Sequence, residues 1–294
     1  AEGHGARIAL RLLQRDGRPR DISFAELAEQ TDRCAALLVS LGLERGETVA
    51  LLLGHGQDFI VAALGALKAG GVVCPLFPAL GPEPIRARLT LGGARILITT
   101  LDLYDRKIKA QRHLLPELHR VMLTAAHGHP VADTEDFSAG LARMPANFTI
   151  AATSRDDAAL LHFTSGTTGI PKGAIHTHAA LIAQRFTGRL VLGLMPDDVF
   201  WCNADPGWIT GTIYGVLVPL AVGCTSLIDP NGFDAGHWYT NLSTHRVSVF
   251  YTTPTAIRML MRFGTALART YRFPALRIAA SVGEPLNPEA VQWG

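Results

Sequence analysis

Short apolar runs alternate with amphipathic stretches along most of the chain. The runs at 48–53 and 158–163 are too short for helices and nearly free of polar residues, which predicts strands buried on both faces. The stretch at 23–41 repeats its apolar positions with a helical period, and Ser23 and Glu26 form a capping box at its start. This alternation predicts an α/β fold in which mostly parallel sheets are covered by helices.

The same pattern predicts an ordered series of elements along the chain. Strands are expected at 48–53, 72–76, 95–100, 120–124, 158–163, 199–203, 224–228, 247–251 and 277–281. Helices are expected at 23–41, 58–68, 82–91, 178–193, 234–245 and 254–264. Residues 125–157 lose periodicity, which predicts a connecting stretch between two α/β lobes, one at about 1–155 and one at about 156–294.

Composition narrows the possible partners and the compartment. A net charge of +2 on 294 residues is too small to indicate a nucleic acid or a membrane surface as partner. The four cysteines have neither zinc-ligand nor redox-pair spacing, and each lies among apolar neighbours, which predicts buried thiols in a reducing, cytoplasmic compartment. The first ten residues lack the basic-then-apolar pattern of a signal peptide.

One segment has a feature of membrane helices. Residues 206–228 carry no charge, and glycines recur every fourth residue at Gly207, Gly211 and Gly215. However, the segment also contains Pro219 and several hydroxyl residues, and no second hydrophobic span accompanies it. We therefore expect a buried helix followed by a strand that begins near Cys224.

Candidate chemistry is concentrated at 164–173, "TSGTTGIPKG", directly after a predicted strand. Small residues allow the backbone N–H groups of such a turn to surround an anion. Hydroxyl groups add donors, and Lys172 adds a point charge that can follow a polyphosphate during a reaction. The pattern predicts a pyrophosphate-binding loop made by Thr164, Ser165, Gly166, Thr167, Thr168, Gly169 and Lys172.

Three alternative interpretations each lack a residue that their motif requires. The loop is not a Walker motif, because Pro171 precedes Lys172 and a glycine follows it. The "GHGQDF" stretch resembles a dinucleotide fingerprint, but Phe59 stands where the third glycine belongs. His176 and His178 alternate, yet two histidines without a third ligand are more typical of a polar helix entry than of a metal site, so no metal ligand is assigned.

The loop "TSGTTGIPKG" resembles the phosphate-loop signature of the adenylate-forming enzymes, which include acyl-coenzyme A synthetases, peptide-synthetase adenylation domains and luciferases. Further stretches resemble the acetyl-coenzyme A synthetases of this family in order and spacing. They are "GALKAGGVVCPLFPALGPEPIRARL", "VFWCNADPGWITGTIYGVLVPLAVGCTSLID", "FYTTPTAIRMLM" and "SVGEPLNPEAVQWG". The resemblance extends from about residue 22 to the end of the chain.

This resemblance implies an ATP-dependent ligase that converts a short carboxylic acid to an acyl-adenylate and then to a coenzyme A thioester. Lys172 and Thr168 become the expected catalytic residues, acting on the departing pyrophosphate. By the same resemblance, Gly283, Glu284 and Pro285 bind adenine, Trp208, Ile209, Thr210 and Val282 line the acyl pocket, and Thr210 and Thr253 approach coenzyme A. Thr253 stands where related enzymes usually have alanine.

The resemblance also implies parts that would lie beyond Gly294. These are the glutamate that binds Mg²⁺, the aspartate that binds ribose, and a small C-terminal domain with a further catalytic lysine. The chain is therefore expected to be an incomplete adenylate-forming N-terminal domain that is inactive alone. A short, stiff pocket favours acetate. Propionate or another short acid, or a truncated non-catalytic homologue, remain the alternatives.

Overall fold

The computed structural model describes residues 3–14, 18–125, 131–164 and 171–293. The chain divides into two compact units. Unit 1 comprises Ala1–Phe24, Ala183–Asp205 and Ile209–Gly294, and unit 2 comprises Ala25–Ile182 and Pro206–Trp208. Each unit contains one sheet, and both sheets are mostly parallel, as the sequence predicts.

Unit 2 is built on a seven-stranded sheet in the order β7-β6-β5-β3-β4-β8-β9. Its strands are β3 (Thr48–Leu52), β4 (Val72–Pro75), β5 (Ala94–Thr100), β6 (Arg120–Thr124), β7 (Glu135–Asp136), β8 (Ala158–Thr164) and β9 (Lys172–Thr177). All pairings are parallel except that of β8 with β9. Every residue of β3 is buried, because its sheet is covered on both faces.

The helices of unit 2 connect these strands. They are α1 (Phe24–Ser40), α2 (Gln57–Lys68), α3 (Pro82–Leu91), α4 (Leu101–Lys107), a 3-10 helix (Lys109–Leu114), α5 (Phe137–Ala142) and the first part of α6 (His178–Leu190). The side chains of α3, including Ile85 and Leu89, pack with β4 and β5 in one continuous apolar core. This core fixes the position of the β8–β9 hairpin at the edge of the sheet, since β8 pairs with β4.

Unit 1 is built on a six-stranded sheet in the order β13-β12-β10-β11-β1-β2. Its strands are β1 (Ile8–Leu13), β2 (Pro19–Ser23), β10 (Val199–Cys202), β11 (Thr225–Ile228), β12 (Val249–Thr252) and β13 (Ile278–Ser281). Only the pairing of β1 with β2 is antiparallel among the described strands of this sheet.

The remaining elements of unit 1 cover its sheet. They are a π-helix (Thr210–Leu217), α7 (Val218–Val222), α8 (Ala235–Thr244), α9 (Pro254–Met261), α10 (Gly264–Ala268) and α11 (Pro288–Trp293). The rings of Trp201 and Phe250 pack at a tilt of 38° with their centroids 5.0 Å apart, and Trp238 on α8 meets Trp201 edge-on at 5.6 Å. This aromatic cluster joins α8 to the sheet.

Two features of the fold differ from the sequence predictions. Residues 125–157 are not solely a connection, because β7 and α5 form there and Asp136 caps α5 by accepting a hydrogen bond from the Ala139 amide. The unit boundary also differs from the predicted division near residue 155. The β8–β9 hairpin follows that point yet belongs to unit 2, and the N-terminal hairpin of β1 and β2 joins unit 1 because β1 pairs with β11.

The uncharged segment at 206–228 is a buried helix followed by a strand, as the sequence predicts. The helix runs as a π-helix into α7 and ends at Gly223, whose φ of 95° is in the left-handed region. Among the residues that the structure describes, no helix is both long and apolar enough to span a bilayer. All four cysteines are free and buried, also as predicted.

Candidate functional site

Most candidate residues of unit 1 follow the carboxyl ends of three neighbouring strands. Thr210 follows β10 and opens the π-helix, Thr253 directly follows β12, and Val282 directly follows β13. The strands are adjacent in the order β13-β12-β10 and run parallel. Their carboxyl ends therefore lie together on one side of the sheet, called here the carboxyl edge, which is where open α/β sheets bind ligands.

This edge has unmet hydrogen-bonding capacity. Asn203 follows β10, Thr252 ends β12 and Ser281 ends β13. Thr252 and Ser281 are paired in register, and Asn203 continues the pairing of Cys202 with Tyr251. The amide nitrogen of Asn203 and the two hydroxyls are buried without a hydrogen-bond partner among the described residues. Buried polar atoms usually have a hydrogen-bond partner, so these three atoms indicate that water or a polar ligand can bind at this edge.

The loop after β13 contains the predicted adenine-binding residues Gly283, Glu284 and Pro285. Gly283 has a φ of 91°, a conformation that glycine adopts without strain. The carboxylate of Glu284 accepts hydrogen bonds from the Thr255 hydroxyl at 2.7 and 2.9 Å and from the Arg258 guanidinium at 3.1 Å. These bonds hold the pKa of Glu284 below its usual value, and the hydrogen bond from Thr255 has the largest effect.

Thr253 has a local role that sequence reasoning missed. Its hydroxyl accepts a hydrogen bond from the Ala256 amide at 3.2 Å, which makes it the N-cap of α9, and Pro254 occupies the first helical position. This threonine therefore stabilises the start of α9. Its contact with coenzyme A stays a prediction.

The β8–β9 hairpin carries the predicted phosphate loop in unit 2. Thr164 is the last residue of β8 and Lys172 the first of β9, and the two are paired in the antiparallel register. Sequence analysis did not predict β9, which places His176 in a strand and not at a helix entry. The phosphate-binding residues predicted at Ser165, Gly166, Thr167, Thr168 and Gly169 lie outside the described residues.

The two faces of this hairpin differ in chemistry. On one face, the rings of His162 and His176 meet edge-on with centroids 5.6 Å apart. Burial, assisted by the neighbouring His176, lowers the pKa of His162 to about 4, so this imidazole is neutral at physiological pH. On the other face, Phe163 and Ile175 line an open cavity of about 410 Å³.

Trp208 lies in unit 2, where it packs on Phe77, a residue that sequence analysis did not single out. The two ring centroids are 5.3 Å apart, and Phe77 follows β4 closely. Gly207 permits this contact, because a Cβ added there would lie 2.5 Å from Phe77 Cα and 2.6 Å from Phe77 N. The remaining pocket candidates Ile209, Thr210 and Val282 belong to unit 1.

A metal site is not formed by the side chains that the structure describes. No group of three or more His, Cys, Asp or Glu residues in the described ranges could hold an ion. The ring of His176 contacts that of His162, and the two histidines alone are fewer than the three ligands of a typical protein metal site. The described residues therefore offer no ligand set that fits the implied Mg²⁺.

Comparison with known proteins gives consistent relatives. A family profile described as "AMP-binding enzyme" matches residues 1–293. Acetyl-coenzyme A synthetase of Bacillus subtilis is 36% identical over 278 residues, which cover 94% of this chain and 48% of that protein. Acetyl-coenzyme A synthetase of Streptomyces avermitilis is 32% identical over 308 residues, which cover 99% of this chain and 47% of that protein.

A solved structure agrees with these sequence matches. The crystal structure of an acyl-CoA synthetase from Brucella canis has a TM-score of 0.90 and 32% identity, and the match covers 98% of this chain and 52% of that one. The adenylate-forming fold predicted from the sequence is thus confirmed. The chain spans about half the length of the curated relatives it matches.

Proposed function

Because the chain belongs to the AMP-binding enzyme family, we propose that it contributes the phosphate, adenine and acyl sites of an ATP-dependent acyl-coenzyme A ligase. A carboxylate oxygen of a short acid, most simply acetate, attacks the α-phosphorus of ATP, and the bond to the β-phosphate breaks to release pyrophosphate. The sulfur of coenzyme A then attacks the acyl carbon. The bond to AMP breaks, AMP leaves, and the thiol proton passes to solvent.

The pairing of Thr164 with Lys172 is the observation that carries this proposal. These residues flank a loop whose sequence is rich in hydroxyl groups and glycine, so the Lys172 side chain extends from a backbone position that is fixed at the end of this loop. Negative charge develops on the departing pyrophosphate. A cation and N–H and O–H donors already held in place stabilise that charge without reorganisation. We assign Lys172 and Thr168 to this role, with the other loop residues as phosphate ligands.

The nucleotide base and coenzyme A are assigned to the carboxyl edge of the unit 1 sheet. Gly283, Glu284 and Pro285 would contact adenine through a loop whose course is set by the left-handed glycine and the bonds of Glu284. The unpartnered polar atoms at the same edge support a polar ligand there. Thr210 and Thr253 would approach the pantetheine arm of coenzyme A.

The acyl pocket is assigned to Trp208, Ile209, Thr210 and Val282. Trp208 and Ile209 are 49% and 42% exposed, so both residues can contact a ligand. The Trp208 indole is held by Phe77 and would present to the acyl group a stiff surface, which accepts few acyl carbons. Acetate is therefore the expected substrate, with propionate next.

Carboxylate-dependent exchange of labelled pyrophosphate into ATP tests this proposal on the protein in its natural full length. The exchange reports the first step alone, so it does not depend on coenzyme A. Acetate, propionate, hexanoate and benzoate form a suitable panel. Exchange that requires acetate or propionate supports the proposal. Exchange driven only by hexanoate or benzoate would support the ligase activity but reject the short-acid pocket. If none of the four acids supports exchange, the ligase activity is rejected.

A further inference from the structure

Helix α9 holds the loop after β13 at two separate points. Arg258 donates from one guanidinium nitrogen to the Glu284 carboxylate at 3.1 Å and from another to the Pro285 carbonyl at 2.9 Å. Thr255, one turn earlier on the same helix, donates to both oxygens of that carboxylate. A side chain and a main-chain oxygen of the loop are thus both bound to one face of α9.

This clamp compensates for a loop with little other support. Gly283 has a left-handed backbone, and no atom lies within 4 Å of the position a Cβ would take there. Strand β13, which leads into the loop, lies at the edge of its sheet. The side chains of Glu284 and Arg258 are partly exposed at 38% and 44%, so their contact is a local anchor and not part of the core.

The helix that carries the clamp is itself fixed at its start. Thr253 caps α9, Pro254 begins it, and the helix side chains Ala256 and Leu260 pack into the aromatic core of unit 1. Thr255 and Arg258 therefore project from a rigid element. Rigid support of this kind is what a binding loop needs to hold a ligand-contacting backbone within a few tenths of an ångström.

We propose that Thr255 and Arg258 are positioning residues for the nucleotide base: they act through Glu284 and Pro285 to hold the backbone of 283–285 against the purine of ATP. This inference rests on the proposed function for the identity of the ligand. It assigns neither residue a contact with reacting atoms. Loss of the clamp therefore weakens ATP binding and leaves the affinity for the carboxylate unchanged.

The clamp depends on the forked shape of the arginine guanidinium. One guanidinium reaches a carboxylate and a carbonyl through two different nitrogens, whereas the single ammonium of lysine cannot reproduce both bonds in the same geometry. Arg258→Lys should therefore recover part of the loss seen in Arg258→Met. Thr255→Val removes the hydroxyl while keeping the shape, and should weaken the clamp less than Arg258→Met.

The experiment uses the full-length protein with Arg258→Met, Arg258→Lys, Thr255→Val and, as a control, Arg262→Met. Arg262 lies one turn further on and caps the end of the same helix, so its loss removes an equal charge without touching Glu284. Three readouts are compared: amide hydrogen exchange of a peptide covering 281–287, the dissociation constant of a non-hydrolysable ATP analogue, and the separate KM values for ATP and acetate.

We expect Arg258→Met to speed amide hydrogen exchange in 281–287. It should raise the dissociation constant of the ATP analogue and the KM for ATP by about tenfold, and leave the KM for acetate unchanged. Arg262→Met should match the wild type in all three readouts. If amide hydrogen exchange in 281–287 is the same in Arg258→Met as in the wild type, then Arg258 does not hold the loop. Faster amide hydrogen exchange with unaltered ATP binding, or equal rises in the KM values for ATP and acetate, would show that the clamp does not position the nucleotide. A wild-type protein that binds the analogue but shows no pyrophosphate exchange would reject the proposed reaction and leave this inference standing.

Discussion

Thr164 and Lys172 face each other across the antiparallel β8–β9 pair, as the last residue of one strand and the first of the next. The pairing brings the two ends of the loop motif together at a defined base. Because β8 is also paired with β4, the base is continuous with the parallel sheet of unit 2. The backbone of Lys172 is therefore held in place relative to that sheet, and its exposed side chain extends from that point.

Acyl-chain length is the first property that we expect to follow from the pocket residues. Acetate should give the highest kcat/KM, propionate the second highest, and each further methylene should cost roughly 1–3 kcal/mol of transition-state stabilisation. Phe77→Ala removes the ring that supports Trp208, so it should reduce the preference for acetate over propionate. The ratio of kcat/KM values measures this, and a ratio equal to that of the wild type would remove Phe77 from specificity.

Stability should depend on pH through His162. Its pKa is about 4 in the fold and 6.5 in the reference state, so the folded protein binds fewer protons than the unfolded one. The stabilisation of the neutral ring is then fully present above pH 6.5 and lost as the pH falls from 6.5 toward 4. The difference corresponds to about 3 kcal/mol in the free energy of unfolding.

Urea unfolding of His162→Gln from pH 4 to pH 7 measures this effect. The variant should lose stability less steeply than the wild type below pH 6.5, whatever its stability at pH 7. His113→Gln, at an exposed site, serves as the matched control and should keep the wild-type slope. Parallel curves for wild type and His162→Gln would contradict the assigned environment of His162.

Gly207→Ala should destabilise unit 2. The new methyl group would lie 2.5 Å from the Cα of Phe77, and a backbone atom cannot move aside as the end of a flexible side chain can. We expect a loss of about 1–3 kcal/mol in the free energy of unfolding. Gly232→Ala is the control, because its added methyl group meets no atom within 4 Å. Equal denaturation midpoints for the two variants would show that the chain at Gly207 packs less closely than described.

The regular parts of the fold were predictable because burial patterns are local. Strands such as β3 and β5 are short apolar runs between helical stretches, and Ser23 and Glu26 mark the start of α1. Strand β9 was not predictable in this way. Its first four residues are exposed, so it has no apolar signature, and it forms because its backbone pairs with β8.

The division into units could not be read from chain order. The N-terminal hairpin joins strands more than 180 residues later, since Leu10 pairs with Ser226, and local sequence patterns carry no information about such pairing. The candidate site shows the same limit. The motif around Glu284 was visible in the sequence, but its bonds to Thr255 and Arg258 depend on how β13 and α9 are brought together.

Carboxylate-dependent pyrophosphate exchange in Lys172→Ala tests the central claim most directly. In the full-length protein, we expect this variant to exchange one to three orders of magnitude more slowly than the wild type with acetate, at about 1.4 kcal/mol for each tenfold loss. Lys109→Ala, which removes a lysine paired with Asp105 on the surface, should exchange at the wild-type rate. An unchanged rate in Lys172→Ala would contradict the assignment of this loop to the departing pyrophosphate.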